Sequence, residues 1–560
     1  MQLVDKTPIL NKRRPIADKD IVNLHNIHRK KGVYVTEEDL KNVLRRYNLR
    51  DGLITLGKKS IGIFNSKDKN KIGRAVYLDP DTGGYISQFA LAYLANILLI
   101  SGANDYKSKY ISQKDNLLTL CNTYSNCLID PALTSAYKLN DQDTLLSFMI
   151  RIDFEQIEYQ FDPLYMMART LVIFNELLSV INPERFEPLS DIFQRETGLN
   201  IYDYLMLCFL IYAGSLNTAT FDTNKLTNAD IPNLKDLLAE EKIVKFLKIL
   251  KADYKSFREE DSLANEKLDP LFTKTRFNPL LVYPVIETDV KHYGDQYVIP
   301  NILAYIKKAY GGLYWWFHRY FEDQGRQQDF RNYFGYVFQE YVGRILKGIY
   351  GLENVHGEIN YGNGLKFIDW WIEKDNKIYL FQSKANQFAL LSKQTGDKEI
   401  IFKNEIKKIT DAIEQVYKRI QDIPKYVELK IFKDKELLPF IVFLDIPFIT
   451  DHLFEPWIKE GLKEIEQEKG IIGLKDFKIF LMNIEDLEYY DEAANFIGLE
   501  EVFRKIKIDI GEDFLSIVAK AKGGKLRNRY LDKVYRDFWE MCNIFIEEKA
   551  GSGLNIKDEI

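Results

Sequence analysis

The chain has 560 residues, 46% of them hydrophobic and 28% charged, with a formal net charge of −5 and four cysteines. That length is too great for one ordinary core and implies two to four globular domains rather than a disordered polymer. The charge excludes a globally basic nucleic-acid binder, and the cysteines lack the paired spacing of a structural zinc site. The longest apolar run, FALAYLANILLI (89–100), is too short to span a bilayer, and the first residues have no apolar signal core. A cytoplasmic protein without a membrane partner is therefore expected.

Residues 1–84 form a basic N-terminal segment, with twelve Lys or Arg against six Asp or Glu over 1–50. It contains a strand-like run, GLITLGKKSIGIF. From 85 to 324 the pattern is mainly helical. ISQFALAYLANILLI, LYMMARTLVIFNELLSVI and IYDYLMLCFLIYA are nearly continuous apolar segments, as buried helices are. The stretch 216–233 reads as loop. This region is expected to be a sensor, regulatory or partner-binding domain. His318, inside YWWFHRYF, suits aromatic packing. His25 and His28 have no further ligand nearby, and Gly311 and Gly312 lack the lysine and threonine of a phosphate loop.

The texture changes at 325. Residues 329–351 predict one helix, with Phe334, Val337, Phe338, Tyr341, Val342 and Ile345 in an apolar stripe and Gly351 as its stop. Strands are predicted at 355–361, 366–374 and 377–385, an amphipathic helix near 400–421, and a strand at 438–449. A helix near 451–468 and a strand at 477–484 follow. This order implies an α/β layer around a mixed sheet over 325–490. A helical extension, 491–560, includes the basic stretch KAKGGKLRNRYLDKVYR (520–536).

The stretch FIDWWIEKDNKIYLFQSKAN (367–386) carries the chemistry. Asp375-Asn376 suits a two-residue turn, because both residues tolerate positive φ. Lys374 then pairs with Lys377, and Asp369 lies directly across from Gln382. Lys384, two residues further, shares their face. Trp371 and Leu380 lie on that face, whereas Ile368, Trp370 and Ile372 oppose Tyr379 and Phe381 on the other. An Asp, a Gln and a Lys among such residues are expensive to bury. A hard divalent cation offsets that cost, since Asp and Gln offer oxygen ligands suited to Mg²⁺. The alternative is a solvent-facing hairpin end with an ordinary Asp–Lys pair.

On these residues the chain resembles the PD-(D/E)XK nuclease superfamily, most closely the Mrr-like restriction endonucleases whose last motif reads Gln-x-Lys. The resemblance covers about 325–490. It implies a restriction-endonuclease-like core in the C-terminal half, beside the large mainly α-helical N-terminal region. By position it makes Asp369 and Gln382 metal-holding residues and Lys384 the residue that orients the attacking water. The Ser383 carbonyl would join the coordination. The family also uses an acid on the preceding helix. GYVFQEYVG places Gln339 and Glu340 there, and Glu340 is the expected contributor as the only carboxylate of the two. The proline before the motif aspartate is missing.

The implied activity is Mg²⁺-dependent hydrolysis of DNA phosphodiester bonds, with Mn²⁺ as a substitute, in bacterial restriction or anti-phage defence. Lys393, Lys398, Lys403 and Lys407 follow the motif and could hold the nucleic-acid backbone. Two other readings remain: a catalytically weak scaffold subunit of a defence complex, and an RNA-cleaving nuclease. A homo-oligomer or a partner defence protein fits any of them.

Overall fold

The computed structural model describes residues 36–126 and 163–493 with short gaps, a few helical residues between 143 and 154, and 528–546. The basic tract 1–35, with His25 and His28, and residues 520–527 lie outside the described residues.

The chain is mixed α/β. The first described helix, α1 (Glu37–Leu44), starts in a capping box in which Thr36 and Asp39 satisfy each other's backbone N–H. α2 (Leu49–Asn65) occupies the run that reads as a strand from sequence. Asn48 caps it, and Leu49, Leu53, Leu56, Ser60 and Ile63 recur at helical spacing as its buried face. Its glycines are there for packing. An added Cβ at Gly52 would sit 2.4 Å from Leu98, and one at Gly57 2.4 Å from the Ile299 carbonyl oxygen. Glycine lowers helix propensity, so close helix contact here outweighs a local preference.

α3 (Gln88–Ile100), α4 (Pro163–Thr170) and α5 (Ile201–Ser215) are the expected apolar helices. Two small sheets stand among them. One is β1 (Lys71–Ile72), β2 (Val76–Leu78) and β3 (Tyr85–Ser87). The other joins β4 (Thr220–Phe221), β5 (Lys251–Asp253), β6 (Val285–Glu287) and β7 (Tyr297–Val298) in the order β4-β7-β6-β5. Strands of two or three residues carry no readable alternation. That is why 216–233 resembles loop although it contains β4.

The C-terminal half is built on α6 (Gln327–Tyr350), whose apolar stripe is buried as the spacing requires. Gly351 ends it at φ +89°. Next come β8 (Val355–Gly357), the hairpin β9 (Asn360–Tyr361) and β10 (Leu365–Lys366), then β11 (Trp370–Lys374) and β12 (Lys377–Lys384). Helix α7 (Lys407–Asp422) crosses to β13 (Glu436–Phe443), and α8 (Glu455–Lys469) crosses to β14 (Phe480–Asn483). α9 (Ile484–Ala493) and α10 (Arg529–Ile546) complete the described elements.

The main sheet runs β14-β13-β12-β11-β8. It is antiparallel through β8, β11 and β12, and parallel from β12 to β14. One face, with Trp370, Ile372, Tyr379, Phe381, Phe440 and Val442, shares a core with α6. The other, with Ile378, Leu380, Ile441 and Phe443, packs on α7 and α8. The α6-side core continues without a break into the N-terminal helices, and Leu531 and Phe538 of α10 belong to it. No described helix is long and apolar enough to cross a membrane.

Two glycines on α6 test how tightly the sheet is held. An added Cβ at Gly343 would lie 2.2 Å from the Trp370 ring, whereas Gly335 has nothing within 4 Å. Gly343→Ala should lower unfolding free energy by about 1–3 kcal/mol through overpacking. Gly335→Ala should raise it by about 0.5–1 kcal/mol through helix propensity. Urea denaturation of both variants checks this, and equal effects would refute the close seating of α6 on Trp370.

Candidate functional site

The hairpin register is the one the turn dictates. Lys374 pairs with Lys377, and the ladder runs to Trp370 opposite Phe381. Asn376 takes φ +61°, as the turn needs. Asp375 lies outside the described residues. Asp369 and Gln382 stand one step past the last ladder pair, at the open end.

On its other side β11 pairs with β8, Trp370 opposite Gly357. Further along, Leu365 pairs with Tyr361, and the Phe367 N–H donates to the Ile359 carbonyl at 2.9 Å. Between these points the register slips by one residue. Ile368 and Asp369 are therefore two residues against the single Glu358, the residue count of a β-bulge. This corrects the expected facing of Ile368. It joins the core cluster of Leu380 and Ile441, not that of Trp370 and Phe381. The extra residue at the bulge changes the alternation.

The bulge bends the chain at Asp369, and the Ser383 N–H donates to Asp369 Oδ2 at 2.7 Å. Asp369 is 7% exposed and Gln382 5%. The Gln382 amide favours the charged form of Asp369, while Gln382 Oε1 is buried with no hydrogen-bond partner. Ser383 Oγ is orphaned in the same way. Lys384 Nζ donates to Gln415 Oε1 at 2.6 Å.

Burial pushes the Asp369 carboxyl above the ordinary aspartate value, against the Ser383 N–H, the Lys384 ammonium and the Gln382 amide. Burial likewise lowers the Lys384 ammonium. Asp369 opposes that shift, and the nearby Arg419 adds to it.

Three residues at this site escaped the sequence reading. Glu358 is the carboxylate acting on Asp369, and it holds Lys366 Nζ at 2.6 Å. Gln415 and Arg419 sit four apart on α7, and so share one helix face. The Arg419 guanidinium lies 6.0 Å from the centre of the Tyr361 ring, with Nη1 buried and unpartnered. The i, i+4 polar pair on an amphipathic helix was the available signal for these two. For Glu358 it was the register of β8 on β11.

Glu340 is turned elsewhere. Its carboxylate meets Lys347 at 3.7 Å, and Lys347 lies 4.4 Å from the centre of the Trp370 ring. The Trp370 Nε1–H donates to the Gln339 carbonyl at 2.8 Å, so this part of α6 packs on the sheet face that carries Trp370. Among the described residues no three His, Cys, Asp or Glu gather as a metal-binding cluster.

Two of the four lysines are committed to carboxylates. Lys393 pairs with Asp445 at 2.9 Å, and Lys398 with Asp143 at 3.2 Å and Glu460 at 3.3 Å. Lys403 and Lys407 are exposed. His318 packs among Tyr314, Trp315 and Phe330. Cys121 and Cys208 are buried.

The donor set fits a hard divalent cation: one buried carboxylate beside an amide oxygen that lacks any partner. The Lys384 ammonium acts on the carboxylate, and the Arg419 guanidinium acts on Lys384. No protein-family model matches the chain, and neither does any curated protein or solved structure.

A carboxyl whose folded pKa is raised binds more protons folded than unfolded, from the ordinary value of 3.8 upward. It therefore subtracts stability as pH rises through that window. Asp369→Asn keeps an acceptor for Ser383 and has no charge to desolvate. Its thermal midpoint should exceed wild type near about pH 8, with the gain shrinking toward about pH 4. A variant that melts no higher at the alkaline end would show that Lys384 outweighs desolvation.

Proposed function

We propose that this chain is a Mg²⁺-dependent endonuclease with a restriction-endonuclease-like core, acting on DNA in bacterial restriction or anti-phage defence. One observation carries the reading. Asp369 and Gln382 lie buried beside the half-buried Lys384 at the open end of a hairpin, with an amide oxygen left unpartnered. Burying such a group without a partner is costly, and a ligand bound there would offset the cost. The DNA substrate and the defence setting rest on the sequence resemblance, as do a homo-oligomeric state or a partner protein.

Asp369 and Gln382 Oε1 would hold the cation, which supplies Lewis-acid polarisation of the phosphoryl group. The Ser383 N–H fixes the Asp369 carboxylate in one orientation. Gln415 holds the Lys384 amine in place, so Lys384 meets developing negative charge already oriented. Its lowered proton affinity makes it a readier proton donor than a solvated lysine. Arg419 Nη1 offers a further charged donor to a phosphate oxygen.

Plasmid and linear DNA should be cut by wild type with Mg²⁺ or Mn²⁺. Asp369→Ala and Lys384→Ala should each lose about 100-fold or more, and Gln415→Ala about tenfold. Equal cleavage by all four proteins would sink the proposal. Matched RNA in the same assay decides the polymer, and faster RNA cleavage would move the assignment to a ribonuclease.

A further inference from the structure

We propose that Glu358 is a second carboxylate ligand of the cation site, held until loading by Lys366, and that it fills the place expected of the α6 acid. The proposal rests on reading this site as a metal-dependent centre.

Glu358, Asp369 and Gln382 each lie one residue beyond the last ladder pairs, Trp370–Gly357 and Trp370–Phe381, of three adjacent strands, and Glu358 acts electrostatically on Asp369. The bulge puts Asp369 opposite Glu358, and the hairpin puts it opposite Gln382. Two carboxylates facing each other across a sheet are destabilising unless a cation lies between or beside them. Here each has its own counter-charge: Lys366 on Glu358 at 2.6 Å, and Lys384 acting on Asp369. The third member, Gln382, is 5% exposed and keeps Oε1 without a partner. That orphaned oxygen is independent of the two acids and points to the same ligand class.

With Asp369 alone the site offers one negative charge to a divalent ion. Glu358 supplies the second, and with Gln382 Oε1 gives three hard oxygen donors, leaving room for the waters that Mg²⁺ retains. Lys366 is well placed to yield. Its side chain is 52% exposed and that of Glu358 20%, so their pair is of the surface kind that little energy separates. Released, Lys366 would remain beside the exposed Tyr336 ring, whose centre lies 6.0 Å from Nζ, at the rim where a nucleic-acid strand would approach.

The test is Mn²⁺ binding by calorimetry on the full chain, with DNA cleavage measured on the same preparations. Glu358→Gln should weaken Mn²⁺ at least about tenfold, and Glu340→Gln should leave it unchanged. Lys366→Ala should tighten Mn²⁺ several-fold by removing the competing ammonium, an outcome that stands even if Glu358→Gln fails to fold. If Glu358→Gln binds Mn²⁺ like wild type while Asp369→Asn does not, Glu358 is no ligand, and the nuclease reading survives. Wild type that neither binds Mn²⁺ nor cuts DNA overturns the nuclease reading and this inference together. Weaker binding by Lys366→Ala would make Lys366 part of the site and overturn its place as the competing cation.

Discussion

The site depends on one hydrogen bond, from the Ser383 N–H to Asp369 Oδ2. Past Trp370 the β11 backbone leaves the ladder, so the amide that β12 presents there has no strand carbonyl to meet. A buried N–H without a partner costs about 1–3 kcal/mol. The Asp369 carboxylate takes the vacant acceptor role. The same bond that closes the hairpin end thus orients a charged oxygen group in the protein interior. The change of register opposite Glu358 accompanies this, for Ile368 joins the α7-side core while Trp370 stays on the α6 side.

Everything else at the site follows from the cost of that burial. A lone buried carboxylate would lose its charge, and Lys384 beside it keeps both groups ionisable. Gln415 then satisfies Lys384 from α7. The unpartnered buried atoms of this region, Trp371 Nε1, Gln382 Oε1, Ser383 Oγ and Arg419 Nη1, belong to the hairpin and the helix over it. Structures leave few such groups, and their concentration here marks a region shaped for something other than its own stability.

The hairpin was legible in the sequence because a two-residue turn fixes every pair beyond it, and Asp375-Asn376 is a strong turn. α6 was legible because its stripe follows helical spacing for six residues. Glu358 was not, since 355–361 reads as one uninterrupted strand. The slip between the Trp370–Gly357 and Leu365–Tyr361 pairs is a property of two strands together, absent from either alone. Glu340 was favoured over Gln339 on ligand chemistry, but the rotation of α6 is set by packing. Gly343 receives the Trp370 ring, and the Trp370 indole bonds the Gln339 carbonyl. α2 misread as a strand for a similar reason. Its glycines serve neighbours distant in the chain, and local preference does not reveal them.

The helical half and the sheet are joined by polar groups as well as by a common core. Arg169 of α4 donates twice to Glu488 of α9, both at 2.7 Å, and Tyr341 of α6 donates to the same carboxylate at 2.6 Å. Asn528, just before α10, donates to the Glu488 carbonyl at 2.6 Å. Glu488 is 1% exposed, so removing Arg169 or Tyr341 leaves a buried carboxylate short of compensation. A second set of ties reaches the segment that follows Lys384. Thr275 donates to the Gln394 carbonyl at 2.6 Å, Arg151 to the Thr395 carbonyl at 3.3 Å, and Lys398 pairs with Asp143. The first set grips the helix behind one face of the sheet. The second grips the chain leaving β12. The hairpin is thus tied to the helical half on both of its flanks.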